Sequence, residues 1–386
     1  MLAAQNGTIS SDQHGFQDGC SCVTQLLECL NDWTESYENG IQTDIVYLDF
    51  AKAFDTVPHN RLLLKLKANG VRGKVLNWIG SFLSDRRQRV QLRNGTSRWE
   101  KVKSGVPQGS ILGPLLFLYY VNDMPSYVSN TAKMFADDTK LYSEVKDQQD
   151  CASLQDDLNA LSFWSRKWLL GFNETKCVVL KIRDCLNYVY TLNGHVLDTV
   201  DEQKDLGVYI TSDLKPSTHI NKIIKKANQR VGLIKRCFTD LTPSKVKLLY
   251  QGIVRPILEY GSPAWNPYLS KDILALEKVQ DRCSKLCNPP LSLPSLAERR
   301  EQTDLCETYK YTHGLYKADE SVFFSRPSLQ LRGHRYKLFK QFANSNTRKF
   351  FFSNRVVDRW NALPEEAVEA ESLASFKRNL RSLAKC

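Results

Sequence analysis

No stretch of this sequence is apolar for long enough to cross a bilayer. The longest strongly apolar run, Ile111 to Val121, falls well short of the roughly 20 residues that a spanning helix needs, and it reads as a buried core helix. The opening residues, MLAAQNGTISSDQHG, lack the basic stretch followed by an apolar one that marks a secretory signal. An intracellular protein, in nucleus or cytoplasm, is therefore expected, neither secreted nor embedded in a membrane. Cysteine occurs 11 times, but the spacings are irregular, as in Cys20-x-Cys22 and Cys283-x3-Cys287. No second pair and no histidine pair stands at finger-like distance, which argues against a structural zinc site and a disulfide scaffold. Reduced thiols are the expectation. Internal repeats and low-complexity segments are also missing.

What is present is an ordinary globular composition, 42% hydrophobic and 25% charged over 386 residues, enough for two or three domains with a buried core. The formal charge is +11. Such an excess favours an anionic partner such as nucleic acid, although a basic surface can also serve only solubility.

Along the chain, residues 23–38 set Val23, Leu26, Leu27, Leu30 and Trp33 on one helical face, and Asn39-Gly40 signals a turn. IVYLDF then reads as a buried strand ending in an aspartate. Residues 60–84 read as two helices broken at Gly70 and Gly73. QRVQLRNGTSRWEKVKSG reads as a hairpin turning at Asn94-Gly95. Ser110 is a plausible cap for the apolar helix that follows it. AKMFADDTKLY predicts strand, two-aspartate turn, strand; 151–170 predicts an amphipathic helix, and CVVLKI another strand. This mixture predicts an α+β layer, helices on a mostly antiparallel sheet. From about residue 215 helical periodicity takes over. Ile220, Ile223, Ile224, Ala227, Val231 and Ile234 form an apolar stripe, with Lys222, Lys225, Lys226 and Gln229 opposite. Between Lys215 and Arg255 ten basic residues face one acid, Asp240. That face suits a phosphate backbone, and it can equally be a solvated surface. Pro289-Pro290 and Pro294 suggest a linker into an all-helical region from 295.

The chemistry rests on carboxylates. Nucleotidyl transfer to a 3′-hydroxyl is helped by two divalent cations roughly 4 Å apart. Magnesium takes hard oxygen ligands and few of them from the protein. Asp49 at a strand end and Asp137-Asp138 at a hairpin turn meet that need if their strands are neighbours. Taken singly, each has an ordinary reading as a turn or loop residue. Their order and spacing along one chain change the odds.

YLDFAKAFDTVPH (47–59), SGVPQGSILGPLLFLYYVNDMP (104–125), FADDTKLY (135–142), FNETKCVVL (172–180) and KDLGVYI (204–210) occur in that order. They resemble palm motifs A to E of reverse transcriptases from non-LTR (LINE-type) retrotransposons, in the manner of the chicken-repeat and Jockey-like lineages. VRPILEYGSPAW (254–265) and NRVVDRWNALPEE (354–366) extend the likeness over nearly the whole chain. The resemblance implies a right-hand polymerase: a residual fingers segment over 1–40, an α+β palm over 41–213, a helical thumb over 214–290 and a helical C-terminal region over 291–386. It also implies RNA-directed DNA synthesis from deoxynucleoside triphosphates on an RNA template and DNA primer, with two Mg²⁺ ions that Mn²⁺ can replace.

Carried over residue by residue, the resemblance makes Asp49 and Asp137 the metal ligands, with Asp138 adjacent and the Phe50 carbonyl completing a shell. Phe54 matches the gate against a ribose 2′-hydroxyl; an ordinary core phenylalanine fits the sequence equally well. Gln108 and Gly109 match the loop that lines nucleotide and template. Lys176 matches the lysine that protonates departing pyrophosphate, or is a surface lysine. Lys204, Leu206 and Gly207 fall in the primer grip, and Lys222, Lys225, Lys226 and Arg230 on the thumb helix that holds the hybrid. Two departures stand out. Upstream fingers strands and an endonuclease domain are not seen, and Gln17 and Cys20 stand where arginines are expected in QHGFQDGCSC. A truncated but palm-intact polymerase is the expectation, with a non-enzymatic, retrotransposon-derived nucleic-acid-binding protein as the alternative.

Overall fold

A computed structural model of the chain describes residues 9–327 and 333–383. It divides into two units, one running to residue 21 and resuming over 41–200, the other made of 22–40 and 201–386. The expected 1–40 segment is thus shared between them, because helix α1 (Cys22–Glu38) belongs with the second unit. Among the described residues no helix is long and apolar enough to cross a membrane.

The first unit is built on a sheet of β1 (Gln42–Leu48), β2 (Thr131–Phe135), β3 (Asp138–Val145), β4 (Val178–Ile182) and β5 (Asp198–Val200), in the order β5-β4-β1-β3-β2. β1 pairs antiparallel with both β3 and β4, β2 with β3, while β5 runs parallel to β4. The mostly antiparallel α+β layer is present. β1 is central and buried at every position, which is why it reads as one near-continuous run rather than an alternating one. Its single acid, Asp44, is tolerated because Tyr190 OH and Gln42 Nε2 donate to it at 2.7 and 2.8 Å. Burial still pushes that carboxyl above its usual value.

Helices α2 (His59–Ala68), α3 (Gly73–Leu83), α4 (Leu112–Val121) and α5 (Gln148–Trp168) complete the unit. α4 is apolar all round and buried from Leu116 to Val121, whereas Ile111, expected inside, is 96% exposed ahead of it. The residue flanking α4 is Ile111 rather than the expected Ser110, but from one position further out Ser110 Oγ still accepts the Gly113 N–H at 2.9 Å. Asp147 caps α5 by accepting from the Gln149 and Asp150 N–H groups. The exposed hairpin turns one residue earlier than expected. Gln91–Leu92 pairs with Gly95–Thr96, so Arg93–Asn94 form the turn and Gly95 opens the return strand.

An unanticipated feature of this core is Lys65 on α2. Its ammonium donates to the Tyr120 carbonyl and to Asp123 and lies 4.9, 4.9 and 3.9 Å from the ring centres of Tyr120, Trp164 and Trp168. Burial pulls its pKa from 10.5 down to about 8, against the opposing pull of Asp123. Desolvated cation–π contacts, worth ~2 kcal/mol each at best, help the cage keep a charge where water is excluded.

In the second unit a hairpin of β6 (Glu202–Asp205) and β7 (Val208–Thr211) precedes helices α6 (Ser217–Cys237), α7 (Ser270–Ser284), α8 (Leu296–Thr312) and α9 (Leu373–Leu383). The region from 295 is not all-helical as expected: among the described residues 313–345 hold a single short turn of helix, Glu320–Val322, and an antiparallel bridge between Ser325 and Phe339, and short helices resume at Asn346. α1 is anchored there by Arg348. Its buried guanidinium donates to the Asn31 carbonyl, Asn31 Oδ1 and Thr34 Oγ1 at 3.2, 3.0 and 3.0 Å. A bidentate pair between Arg355 and Asp304, both bonds 2.9 Å, ties the short helices to α8.

Candidate active site

Asp49 follows β1 directly, and the register Leu48↔Thr139 sets it at the end of β3 where the β2–β3 hairpin turns. Phe135↔Asp138 is the last rung of that hairpin. The turn is therefore Ala136–Asp137 rather than two aspartates, and Asp138 opens β3. Ala136 sits at φ +59°, a left-handed conformation that a residue with a Cβ rarely adopts. Asp137 is half-buried, and its carboxyl is held above the usual range first by burial and then by the negative charge of Asp49. The two carboxylates thus sense each other across the strand ends. Asp138 is exposed, and among the described residues no three acids, histidines or cysteines form a metal-holding group. The fold brings together Asp49 and Asp137, and leaves Asp138 beside them.

The exit of β1 is held by the loop 171–177. The Asn173 N–H donates to the Asp49 carbonyl at 2.7 Å, and the Ala51 N–H to the Gly171 carbonyl at 2.8 Å. Phe50 is buried, stacking on Phe172 with ring centres 4.7 Å apart. The Asp49 N–H donates to Cys177 Sγ at 3.3 Å. Burial pushes that thiol up to about 11, so it stays neutral and serves as an acceptor rather than a nucleophile. Lys176, next to it, lies with Nζ 3.6 Å from Asp49 Oδ2; both groups are well exposed, so the pair adds little stability.

A second wall comes from the segment after Asp49. Phe54, on the helical turn Ala53–Thr56, is half-buried and stacks on Phe117 with ring centres 4.4 Å apart. The loop 104–109 is stitched to this turn. The Gly105 N–H donates to the Val57 carbonyl and the Val106 N–H to the Phe54 carbonyl, both at 2.8 Å. Ser104 Oγ donates to the Asp55 carbonyl at 2.9 Å, and Gln108 Nε2 to Asp55 Oδ1 at 3.0 Å. Gly105 is required where it stands: at φ +88°, a Cβ would lie 2.6 Å from the Asp55 carbonyl oxygen. Gln108 and Gly109 remain exposed at the tip.

In the second unit Leu206 and Gly207 form the β6–β7 turn, with Lys204 on β6. Gly207 has φ +90°, and a Cβ there would meet the Tyr260 ring at 2.7 Å, while Tyr260 OH donates to the Leu206 carbonyl at 3.0 Å. On α6 the stripe is buried at Ile220, Ile223, Ala227, Val231 and Ile234 and half-buried at Ile224. Lys225, Lys226 and Arg230 are exposed. Lys222 departs from the expected free basic face: it pairs with Glu202 and lies 3.8 Å over the Tyr209 ring. His219 is buried beneath, accepts the Tyr209 N–H at Nδ1, and is pushed down to about 4 by burial, so it is neutral.

Gln13, Asn173 and Cys177 were missed by sequence reasoning. Their contacts run to backbone atoms of residues far along the chain, which no local pattern signals.

The family model described as reverse transcriptase (RNA-dependent DNA polymerase) matches residues 1–210. The chain belongs to that family. It is 28% identical over 300 residues to the probable RNA-directed DNA polymerase from transposon BS of Drosophila melanogaster, covering 74% of this chain and 33% of the relative. It is 30% identical over 271 residues to the RNA-directed DNA polymerase from mobile element jockey of Drosophila funebris, covering 64% of this chain and 29% of the relative. The Jockey-like non-LTR likeness expected from the ordered motifs is therefore borne out. This reverse-transcriptase chain spans about a third of the length of these relatives. A telomerase structure from Candida tropicalis aligns over 74% of this chain and 44% of its own at 14% identity and a TM-score of 0.40, too loose to add to the assignment. Members of this family depend in general on a divalent metal.

Proposed function

We propose that this chain is the polymerase core of a Jockey-like non-LTR retrotransposon and extends a DNA primer on an RNA template. In this reading 41–213 is the palm, 214–290 the thumb, 1–40 a fingers segment and 291–386 a helical C-terminal region. The observation that carries it is the placement of Asp49, at the exit of β1, beside the Ala136–Asp137 turn at one end of the sheet, where burial first and then the negative charge of Asp49 hold the Asp137 carboxyl above its usual range. Two such carboxylates repel each other unless a cation lies between them, and the donor set is oxygen, with the nearby sulfur of Cys177 turned to the backbone. That set fits a hard cation: Asp49, Asp137 and Asp138 would hold Mg²⁺, two ions in all with Mn²⁺ able to substitute, and the metal would polarise the phosphate and ease loss of the 3′-hydroxyl proton.

The primer 3′-oxygen bonds to the α-phosphorus, the bond to the β-phosphate oxygen breaks, and pyrophosphate leaves while the hydroxyl proton passes to water. Lys176, beside Asp49, is assigned to protonating the leaving pyrophosphate. The Phe50 carbonyl is assigned to the metal shell. Phe54, braced on Phe117, is assigned to refusing a 2′-hydroxyl, and Gln108 and Gly109 to lining the nucleotide. Lys204, Leu206 and Gly207 are assigned to the primer, and Lys225, Lys226 and Arg230 on α6 to the backbone of the hybrid.

Primer extension on an RNA template with Mg²⁺ tests this directly. Synthesis by the parent chain and none by an Asp137→Ala/Asp138→Ala variant is the expected result. Equal synthesis by both would remove the aspartates from the chemistry. No synthesis by either, with salt-sensitive RNA binding that ignores the aspartates, would favour the non-enzymatic binding protein.

A further inference from the structure

Residues 12–15 run along the outer edge of β2. The Met134 N–H donates to the Asp12 carbonyl and the His14 N–H to the Met134 carbonyl, both at 2.8 Å, a short parallel pairing. Lys133 and Asp12 form an ion pair at 3.6 Å at the start of the segment. Between them the Gln13 side chain, 1% exposed, reaches past the strand to the Ala136–Asp137 turn. There Oε1 accepts the Ala136 N–H at 2.8 Å, and Nε2 donates to the Ala136 carbonyl at 3.3 Å. The Gly15 N–H donates to the same Oε1 at 2.8 Å, orienting the amide. Gly15 itself approaches so closely that a Cβ would lie 2.4 Å from the Ala136 nitrogen.

We infer that Gln13 is a positioning residue for the carboxylate turn: its amide clamps both backbone groups of Ala136 and so fixes where Asp137 points. This rests on the polymerase reading above. The chemistry of the clamp is selective. A primary amide offers a donor and an acceptor at once, whereas a carboxylate offers acceptors alone. The clamp matters because Ala136 holds a left-handed conformation that is strained for a residue with a Cβ and persists only where surroundings impose it. Released from Gln13, the turn relaxes toward an unstrained backbone, and Asp137, the next residue, moves with it. Glycine at 136 would adopt the same conformation unaided.

The test uses the full chain with Gln13→Met, which keeps the length and removes both bonds, and reads three quantities. Hydrogen exchange over residues 134–139 should rise in the variant while β1 and β4 stay protected. Mn²⁺ affinity, followed by water-proton relaxation, should weaken about tenfold, the usual loss when a group supporting a metal ligand is removed. The double variant Gln13→Met/Ala136→Gly should recover most of that loss, which a merely structural role would not produce. Gln13→Glu, which keeps the acceptor and loses the donor, should fall between and serves if the methionine variant does not fold. Unchanged exchange at the turn overturns the clamp outright. Parent-like Mn²⁺ affinity in the variant, with Asp137→Ala abolishing binding, overturns the positioning role and leaves the polymerase reading intact. Mn²⁺ binding that Asp137→Ala does not alter defeats the polymerase reading, and the role of Gln13 falls with it.

Discussion

Gly113 is the position where one added methyl group sets two physical effects against each other. It lies in the first turn of α4 and its φ is not left-handed, so alanine is allowed by the backbone. Helix propensity alone favours Gly113→Ala by up to ~1 kcal/mol. The surroundings oppose it. A Cβ at 113 would stand 2.5 Å from the Pro107 carbonyl oxygen and 3.1 Å from Ser110 Oγ. Those two atoms are themselves joined, because Ser110 Oγ donates to Pro107 at 2.7 Å while accepting the Gly113 N–H at 2.9 Å. Overpacking of this kind costs about 1–3 kcal/mol, and each hydrogen bond that breaks as the loop retreats costs about 1 kcal/mol more. The clash therefore wins, and a net loss of about 1–2 kcal/mol is expected on these magnitudes. Since the atom that must move belongs to Pro107, the displacement passes to Gln108 and Gly109, and the KM for nucleotide should rise more than kcat falls. Gly109→Ala is the control: nothing lies within 4 Å of its Cβ, and φ is +78°, so only the left-handed penalty of ~1–2 kcal/mol applies. Denaturant unfolding of the full chain, with steady-state primer extension alongside, measures both. If Gly113→Ala is as stable as the parent or more so, propensity has prevailed, and the close approach of Pro107 to α4 is not what shapes this loop.

Three further outcomes are expected. Asp137→Asn should stabilise the protein in metal-free buffer while abolishing synthesis. The folded carboxyl is raised by burial and Asp49, so the parent loses stability as pH climbs from the unfolded value of about 3.9 through the folded one. The advantage of the variant, read by thermal melting, should thus be small at low pH and open as pH rises; a constant gap would refute the coupling. Lys225→Ala/Lys226→Ala/Arg230→Ala should flatten the salt dependence of hybrid binding by roughly 0.7–0.9 in log–log slope for each phosphate no longer neutralised. Lys222→Ala, whose partner is Glu202, should barely change it; a filter-binding series showing Lys222 dominant would contradict that division. Arg348→Ala takes the guanidinium donor from the buried Asn31 Oδ1, while the Asn31 carbonyl keeps the Thr34 hydroxyl, and should cost about 1–3 kcal/mol, seen as faster hydrogen exchange in α1. Exchange unchanged over 22–38 would show that the Arg348 contacts are not what holds α1, which is also tied by the Asn344 and Ser345 N–H groups donating to the Glu38 carboxylate.

By itself the sequence determined the family and the elements. Periodicity placed α1, α5 and α6 within a few residues, because burying one face imposes its period on the letters. The order of YLDF, SGVPQG and FADD singled out Asp49, Asp137 and Asp138 as candidates. Tertiary structure decided how these parts were used, since partners distant in the chain leave no local mark. Only the packed sheet shows that Asp137 is the acid that feels Asp49, that Asp138 belongs to β3, and that Ala136 takes the left-handed turn position. Lys222 looked identical to Lys225 on the helical wheel, and it is Glu202 and Tyr209 on the preceding hairpin that take it off the basic face. Gln13 is the sharpest case. A glutamine before a histidine and a glycine carries no signal of the turn it holds, because beyond the local Gly15 N–H the groups its amide bonds are backbone atoms of Ala136, 123 residues away. Backbone donors and acceptors are the same at every residue, so only the fold can say which of them meet.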